Sequence, residues 1–293
     1  MGGGHLTDSI DRLSLKEQFF KMNPLRSVAI VSNLTKSGTG EVARILAEIC
    51  KNEGVEVRLT EEFPCPAGFL KGMDACFSVG GDGTLLNILE EAIVHEVPVA
   101  GVGLGKLGFL ATLPPDDLKK CLLPLLQWDF HVRRRSLLAC REAGGSEKLA
   151  LNDFVIKSGI AGRLGRFSVF CGSERVADYA SDGIVFSTPT GSTAYNLAAG
   201  GPIAHPEAEV MLMTPISAHS LTSRPLVFPS GINLRIESGE NNTVPHVSAD
   251  GGEAFSPSPN FPLEIFVSSK TFPLMETVDH SHFKVLRNKL KWG

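Results

Sequence analysis

Phe77-Ser78-Val79-Gly80-Gly81-Asp82-Gly83-Thr84-Leu85-Leu86-Asn87 carries a short apolar run into three glycines set around one acid, and then into a recurring apolar pattern. The run reads as a buried strand, and the recurrence from Leu85 to Ile93 as a helix opening at Thr84. Glycines let the backbone bend and approach a ligand closely, and a helix amino end offers free N–H groups to an anion. Gly80, Gly81, Gly83 and Thr84 are therefore candidate phosphate-binding residues. Asp82 shares the sign of a phosphate, so its place in the same turn points to a different role, either handling Mg2+ or taking a proton from an attacking hydroxyl. A tight turn with a helix cap is the plain alternative, and it is how most Asp-Gly pairs are used.

Working outward, Val28 to Val31 is a short apolar run, and Val42, Ile45, Leu46 and Ile49 recur at helical spacing until Gly54. Val55 to Leu59, Ala75 to Val79 and Val97 to Val102 read as further strands. Strands alternating with helices imply a parallel sheet whose carboxyl-end loops are open to ligands. Pro114-Pro115-Asp116-Asp117 suits a helix start, and Leu118, Leu122, Leu125 and Leu126 follow it. After Trp128 the helical period fades into β-like runs at 130–140, 149–157, 166–171, 183–187, 225–228, 232–237 and 262–267. The reading is an α/β amino-terminal domain with a parallel sheet and a β-rich carboxyl-terminal domain. Residues 1–24 form an extension with a mildly amphipathic stretch at 13–20. Residues 25–127 form the α/β nucleotide-binding domain, completed by 272–293 with a basic helix at 283–291, and residues 128–271 form the β-rich domain.

A length of 293 residues exceeds one ordinary hydrophobic core, which agrees with two domains. Hydrophobic residues at 43% against 20% charged exclude a disordered or collagen-like chain. A formal net charge of -4 supplies no basic face, so nucleic acid is not an expected partner. The six cysteines contain no Cys-x-x-Cys pair and read as buried free thiols. No apolar stretch reaches the roughly 20 residues of a membrane span. Asp8, Asp11 and Glu17 stand where a signal peptide would be basic and then apolar, so the expected location is cytoplasmic, with no membrane partner.

Two familiar phosphate signatures fail. Gly105-Lys106 is followed by Leu107, and Ala100 occupies the first glycine position of a P-loop. Gly103-x-Gly105-x-x-Gly108 matches the dinucleotide fingerprint as a string, but Phe109-Leu110-Ala111 and a proline pair follow where a helix should open. A glycine-rich wall beside the nucleotide is the better reading, with Phe109 packed there or in the core.

The second half contains Ala180-Ser181-Asp182-Gly183-Ile184-Val185-Phe186-Ser187-Thr188-Pro189-Thr190-Gly191-Ser192-Thr193-Ala194-Tyr195, followed by Gly200-Gly201-Pro202. Short hydroxyls around glycine suit ribose, amide and phosphate oxygens, and a tyrosine can stack on a flat ring or donate from its hydroxyl. Taken alone this run reads better as a structural turn.

Gly80-Gly81-Asp82-Gly83 combined with Gly191-Ser192-Thr193-Ala194-Tyr195, Leu151-Asn152-Asp153 and the segment from Pro215 to Leu226 resembles the NAD kinase family, over about residues 27 to 270. The first motif is shared with diacylglycerol, sphingosine and phosphofructokinase relatives; the Thr-Pro-Thr-Gly-Ser-Thr-Ala-Tyr run is narrower. The resemblance implies an active site between the two domains and a homodimer or homotetramer. It implies transfer of the ATP γ-phosphate, or a polyphosphate group, to the 2'-hydroxyl of NAD's adenosine ribose, with Asp82 as general base and Mg2+ or another divalent cation present. Asn152 and Asp153 occupy the family's Asn-Glu pair, expected to hold adenine and ribose. Asp182, Thr190, Thr193, Ala194, Tyr195 and Ala198 fall on dinucleotide-contacting positions. The sequence departs from the family pattern at Asp153, shorter by one methylene than the usual glutamate, at Ala198 in place of serine, and at Gly103 in place of asparagine.

Other polar groups receive structural readings. His219 and Arg224 are expected to support the fold, Arg133-Arg134-Arg135 to form a solvated strand start, and His280 with His282 lacks partners at zinc spacing. No protein metal ligands are assigned, because Mg2+ is expected to bind mainly through nucleotide phosphates. A lipid kinase and a dinucleotide sensor without activity are the competing functions. The net charge and the Thr190 to Tyr195 run oppose the first, and the intact glycine loop with Asp82 opposes the second.

Overall fold

The structure, a computed structural model, describes residues 23–105, 108–159, 164–239, 245–256 and 258–292. These divide into two compact units, one containing the residues up to Arg133 and from Pro273 onward, the other Arg134–Phe272. The amphipathic stretch at 13–20, Lys106 and Leu107 lie outside the described residues.

The first unit is built from β1 (Ser27–Ser32), α1 (Thr39–Asn52), β2 (Glu56–Thr60), β3 (Ala75–Gly80), α2 (Asp82–Leu86), α3 (Leu89–His95), β4 (Val99–Gly103) and α4 (Leu118–Leu126). The strands pair in the order β2-β1-β3-β4, all parallel, and Leu274 on the returning chain pairs with Val99 in the same direction. Every residue of β3 and β4 is buried, the pattern of a parallel sheet covered on both faces. α1 turns Ala43, Leu46, Ala47 and Cys50 inward at i, i+3, i+4 and i+7, and these join Ile30, Phe77, Val79, Leu122 and Leu125 in one core. Strand order reverses direction between β1 and β3, the point at which open α/β sheets leave a crevice beyond their carboxyl ends. The loops after β1 and β3 flank it, and a Cβ on Gly81 would lie 3.0 Å from Lys36 Nζ.

The single helix expected from Thr84 is two helices, and the first opens at Asp82. The Ile88 N–H donates to Leu85 O, three residues back, at 3.0 Å. That tighter turn ends α2 and lets both Ile88 and Leu89 point into the core.

The second unit takes up β5 (Phe130–Glu142) and continues through β6 (Glu147–Ala150), β7 (Asp153–Lys157), β8 (Gly165–Cys171), β9 (Glu174–Ser181), β10 (Gly183–Ser187), α5 (Tyr195–Ala198), β11 (Val210–Ile216), β12 (Leu226–Pro229), β13 (Leu234–Ser238), β14 (His246–Ala249), β15 (Gly252–Glu253) and β16 (Leu263–Thr277). The first residues of β5, the last residues of β16 and the helix α6 (His282–Leu290) belong to the first unit. An antiparallel sheet runs β12-β11-β10-β7-β14-β15, and β16, β13, β8 and β9 pair antiparallel in a second layer. Phe154, Ile156, Phe186 and Met213 from the first layer share one core with Phe167, Val169, Ile236 and Ile265 from the second.

Strands β9, β11, β14 and β15 are absent from the sequence-based reading. β9 is rich in polar residues and lies at a sheet edge, so it lacks an apolar run. The solvated start expected at Arg133-Arg134-Arg135 is also corrected: Arg135 is only 7% exposed within the long β5, and Arg133 Nε lies 4.0 Å from Glu276 Oε2. All six cysteines are free; Cys50, Cys76 and Cys140 are buried, whereas Cys65, Cys121 and Cys171 are half-buried.

Candidate active site

In the first unit, β3 delivers Gly80 at its carboxyl end. A Cβ there would meet Thr84 Oγ1 at 2.2 Å, so the turn closes on Thr84 only because residue 80 has no side chain. Gly81 is extended, and its N–H donates to Thr84 Oγ1 at 3.4 Å. Gly83 is exposed and Thr84 is buried beneath the loop.

Asp82 is half-buried, and its carboxylate turns toward the chain after β4. Phe109 N–H donates to Oδ2 at 2.9 Å, while Leu110 and Ala111 N–H donate to Oδ1 at 3.1 and 2.8 Å. An ionised carboxylate offers about four lone-pair sites. Three are taken by amides, and the remaining one is on Oδ2. The backbone from Phe109 to Ala111 thus holds an acid.

In the second unit a cavity of about 440 Å3 is lined by Asn152, Asp153, Val155, Lys157, Ala194, Tyr195, His246, Ser248, Asp250 and Gly251. Strand alternation builds its floor. Phe154 and Ile156 of β7 go into the core, leaving Asp153, Val155 and Lys157 on the opposite face. β14 pairs His246 with Lys157 and Ser248 with Val155, so their side chains share that face. The wall comes from the hydroxyl-rich segment, a 3-10 turn at Thr190–Thr193 followed by α5. Lys157 Nζ stands 5.0 Å from the centre of the Tyr195 ring, a cation–π approach.

The wall is fastened to Asn152 by backbone contact. Thr188 N–H donates to Asn152 O at 2.9 Å, and the Thr188 hydroxyl donates to Leu151 O at 2.5 Å while accepting Gly191 N–H at 2.9 Å. A Cβ on Gly191 would fall 2.1 Å from Asn152 O, so only glycine permits this approach. Asn196 secures the far side: its amide donates to Ser192 O and Pro202 O, and its carbonyl accepts from the Thr214 hydroxyl.

Asp250 ties the cavity floor together from a turn 97 to 99 positions away in sequence. Its Oδ2 accepts Leu151 N–H at 2.8 Å, and its Oδ1 accepts Asn152 and Asp153 N–H at 2.7 and 3.2 Å. Asp153 is 4% exposed; burial first and the Asp250 charge second push its carboxyl up to about 7, against the pull of the Tyr195 N–H. Burial raises Asp250 as well, opposed by the three N–H groups it accepts.

Of the residues singled out from sequence, Asn152, Asp153, Ala194 and Tyr195 meet at this cavity. Thr190 is buried and Thr193 half-buried in the supporting turn. Ala198 is exposed on α5, and Asp182 is exposed at the start of β10, at the opposite end from the Ser187↔Asp153 pair. Lys157, His246, Ser248 and Asp250 were not singled out; the alternation of β7 points to Lys157, but nothing local points to the others. His219 is exposed, and Arg224 donates to Leu221 O and Ser223 O. His280 Nε2 lies 3.6 Å from Glu276 Oε1.

Residues 151–277 match the ATP-NAD kinase C-terminal domain, and residues 67–130 match the ATP-NAD kinase N-terminal domain. The chain belongs to the NAD kinase family. An NAD kinase of Syntrophobacter fumaroxidans is 37% identical over 229 residues, 77% of this chain and 81% of that one. An NAD kinase of Pseudomonas paraeruginosa is 32% identical over 288 residues, 93% and 98% of the two chains. Among solved structures, an NAD kinase from Archaeoglobus fulgidus in complex with ATP superposes with a TM-score of 0.74 at 25% identity, covering 90% of this chain and 98% of that one. Yeast NADH kinase complexed with NADH shares the fold, with a TM-score of 0.78 at 23% identity over 92% and 89% of the chains. The chain places one family motif at the junction of β3 and α2 and the other on the 3-10 turn and helix that follow β10. Among the described residues no helix is long and apolar enough to cross a membrane.

Proposed function

We propose that this NAD kinase transfers the γ-phosphoryl group of ATP to the 2'-hydroxyl of the adenosine ribose of NAD, with Asp82 as the general base. The proton leaves the hydroxyl for Asp82 Oδ2, the freed oxygen bonds to the γ-phosphorus, and ADP departs with the electrons of the broken bridging bond. The observation that carries this role is the Asp82 carboxylate, held by three amides with one lone-pair site left over. Gly80, Gly81, Gly83 and Thr84 serve the phosphates. Asn152, Asp153 and Tyr195 receive the dinucleotide, with Lys157 on the Tyr195 face, and Thr190, Thr193 and Ala194 shape the wall. Asp182 completes the contacts expected from the family pattern, Ala198 stands at a contact position where the family has serine, and Phe109 packs at the glycine-rich wall beside the nucleotide.

A divalent cation such as Mg2+ belongs to the same reading and supplies charge neutralisation to the phosphates. Among the described residues no group of three His, Cys, Asp or Glu side chains is arranged to hold a metal, and Mg2+ commonly binds through nucleotide phosphates and water with one or two carboxylates. Polyphosphate as an alternative donor, a cytoplasmic location and a homodimer or homotetramer complete the proposal.

The test is to incubate the purified protein with NAD and ATP-Mg2+ and to assay the product with an NADP-specific dehydrogenase. Asp82→Asn is expected to bind NAD normally and to lose about 10²- to 10⁴-fold in turnover, the usual worth of a general base. Turnover within a few-fold of the parent removes Asp82 from this role.

A further inference from the structure

The Asp82 carboxylate lies where the missing side chain of Gly108 would be. A Cβ built on Gly108 falls 1.9 Å from Asp82 Oδ1, 2.6 Å from Cγ and 2.9 Å from Oδ2. Its backbone is outside the left-handed region, so conformational freedom does not explain the glycine. The space it leaves is filled by the carboxylate.

The turn that follows cannot easily retreat. Gly108 N–H donates to Ala111 O at 2.8 Å, closing the turn so that three successive amides converge on one acid. The turn is in turn seated on β4: a Cβ on Gly101 would meet the Ala111 Cα at 2.5 Å. Leu113 N–H donates to Gly101 O and Gly103 N–H donates to Leu113 O, both at 3.0 Å. Any side chain at 108 is therefore wedged between a fixed turn and the flexible end of Asp82, and the carboxylate is the group that yields.

We propose that Gly108 is a positioning residue for phosphoryl transfer, fixing where the Asp82 carboxylate stands and which of its lone pairs remains open to the sugar hydroxyl. With Oδ1 accepting two amides and Oδ2 one, the orientation of the acid is set before substrate arrives. This inference rests on the proposed role of Asp82 as base.

A double-mutant cycle on the full-length enzyme tests it, with kcat, the KM values for NAD and ATP, and thermal melting measured for the parent, Gly108→Ala, Asp82→Asn and the double variant. Gly108→Ala is expected to lower kcat about 10- to 100-fold, the scale of a misplacement near 1 Å, with both KM values within about twofold of the parent. In the Asp82→Asn background the same change is expected to alter kcat by less than about twofold, because the group it positions is already gone. A kcat within about threefold of the parent, or a loss that simply multiplies in the double variant, overturns the inference while leaving Asp82 as base. Asp82→Asn with near-parental turnover instead removes the base reading and this one with it. Should Gly108→Ala fail to fold, Asp82→Glu decides: glutamate is a competent base one methylene too long for the amide cradle, and turnover within about threefold of the parent overturns the inference.

Discussion

Replacing Asp153 with asparagine keeps the shape of a buried side chain and removes its titration. In the folded enzyme the Asp153 carboxyl is raised from 3.8 to about 7, by burial first and by the Asp250 charge second. A raised carboxyl binds its proton more tightly in the folded state than in the unfolded one. Its contribution to stability is therefore complete below the unfolded value near 4 and is lost as pH rises through about 7. Each pH unit inside that window is worth about 1.4 kcal/mol, so the whole window is worth on the order of 4 kcal/mol. Asparagine resembles the protonated acid and keeps an oxygen for the Tyr195 N–H. The expected outcome is an advantage for Asp153→Asn of about 1 kcal/mol at pH 4.5 that grows toward about 4 kcal/mol by pH 8. Both tryptophans, Trp128 and Trp292, lie in the first unit, so their fluorescence does not report on Asp153. Hydrogen exchange of a peptide covering 183–187, the strand paired with 153–157 and unchanged in sequence, compared between the two proteins at each pH, follows the affected sheet and cancels the intrinsic exchange rate. A difference that is independent of pH, or that shrinks toward pH 8, refutes the reasoning.

Asp250→Ala leaves three N–H groups at 151–153 without their acceptor and puts alanine at a φ of 50°. It is expected to destabilise the second unit by about 3 kcal/mol or more and to raise the KM for NAD, read by hydrogen exchange and by steady-state kinetics; a stability within 1 kcal/mol of the parent counts against the clamp, as judged against ordinary surface changes of about 0.5 kcal/mol. Gly191→Ala drives a methyl against Asn152 O and is expected to cost about 1 to 3 kcal/mol while weakening dinucleotide binding, measured by calorimetric titration with NAD. Unchanged affinity would show that the wall is not held to the Asn152 loop in the way described.

The alternation of strands and helices from Val28 to Val102 is written in local periodicity, so the parallel sheet follows from sequence. The glycine loop at 80–83 and the run from Thr190 to Tyr195 are likewise contiguous, and the family resemblance rests on them. β9 and β15 escaped the reading because a polar edge strand and a two-residue strand carry no apolar signal. The turn at 108–111 was legible only as glycine-rich; its purpose depends on a carboxylate 27 to 29 positions earlier. Asp250 is an ordinary Asp-Gly turn in the sequence, and only the pairing of β14 with β7 carries it to the amides of Leu151, Asn152 and Asp153. Local pattern records which residues bend, pair or bury. Which acid meets which amide is settled by hydrogen bonds between distant segments, and those form only after the sheets have brought the segments together.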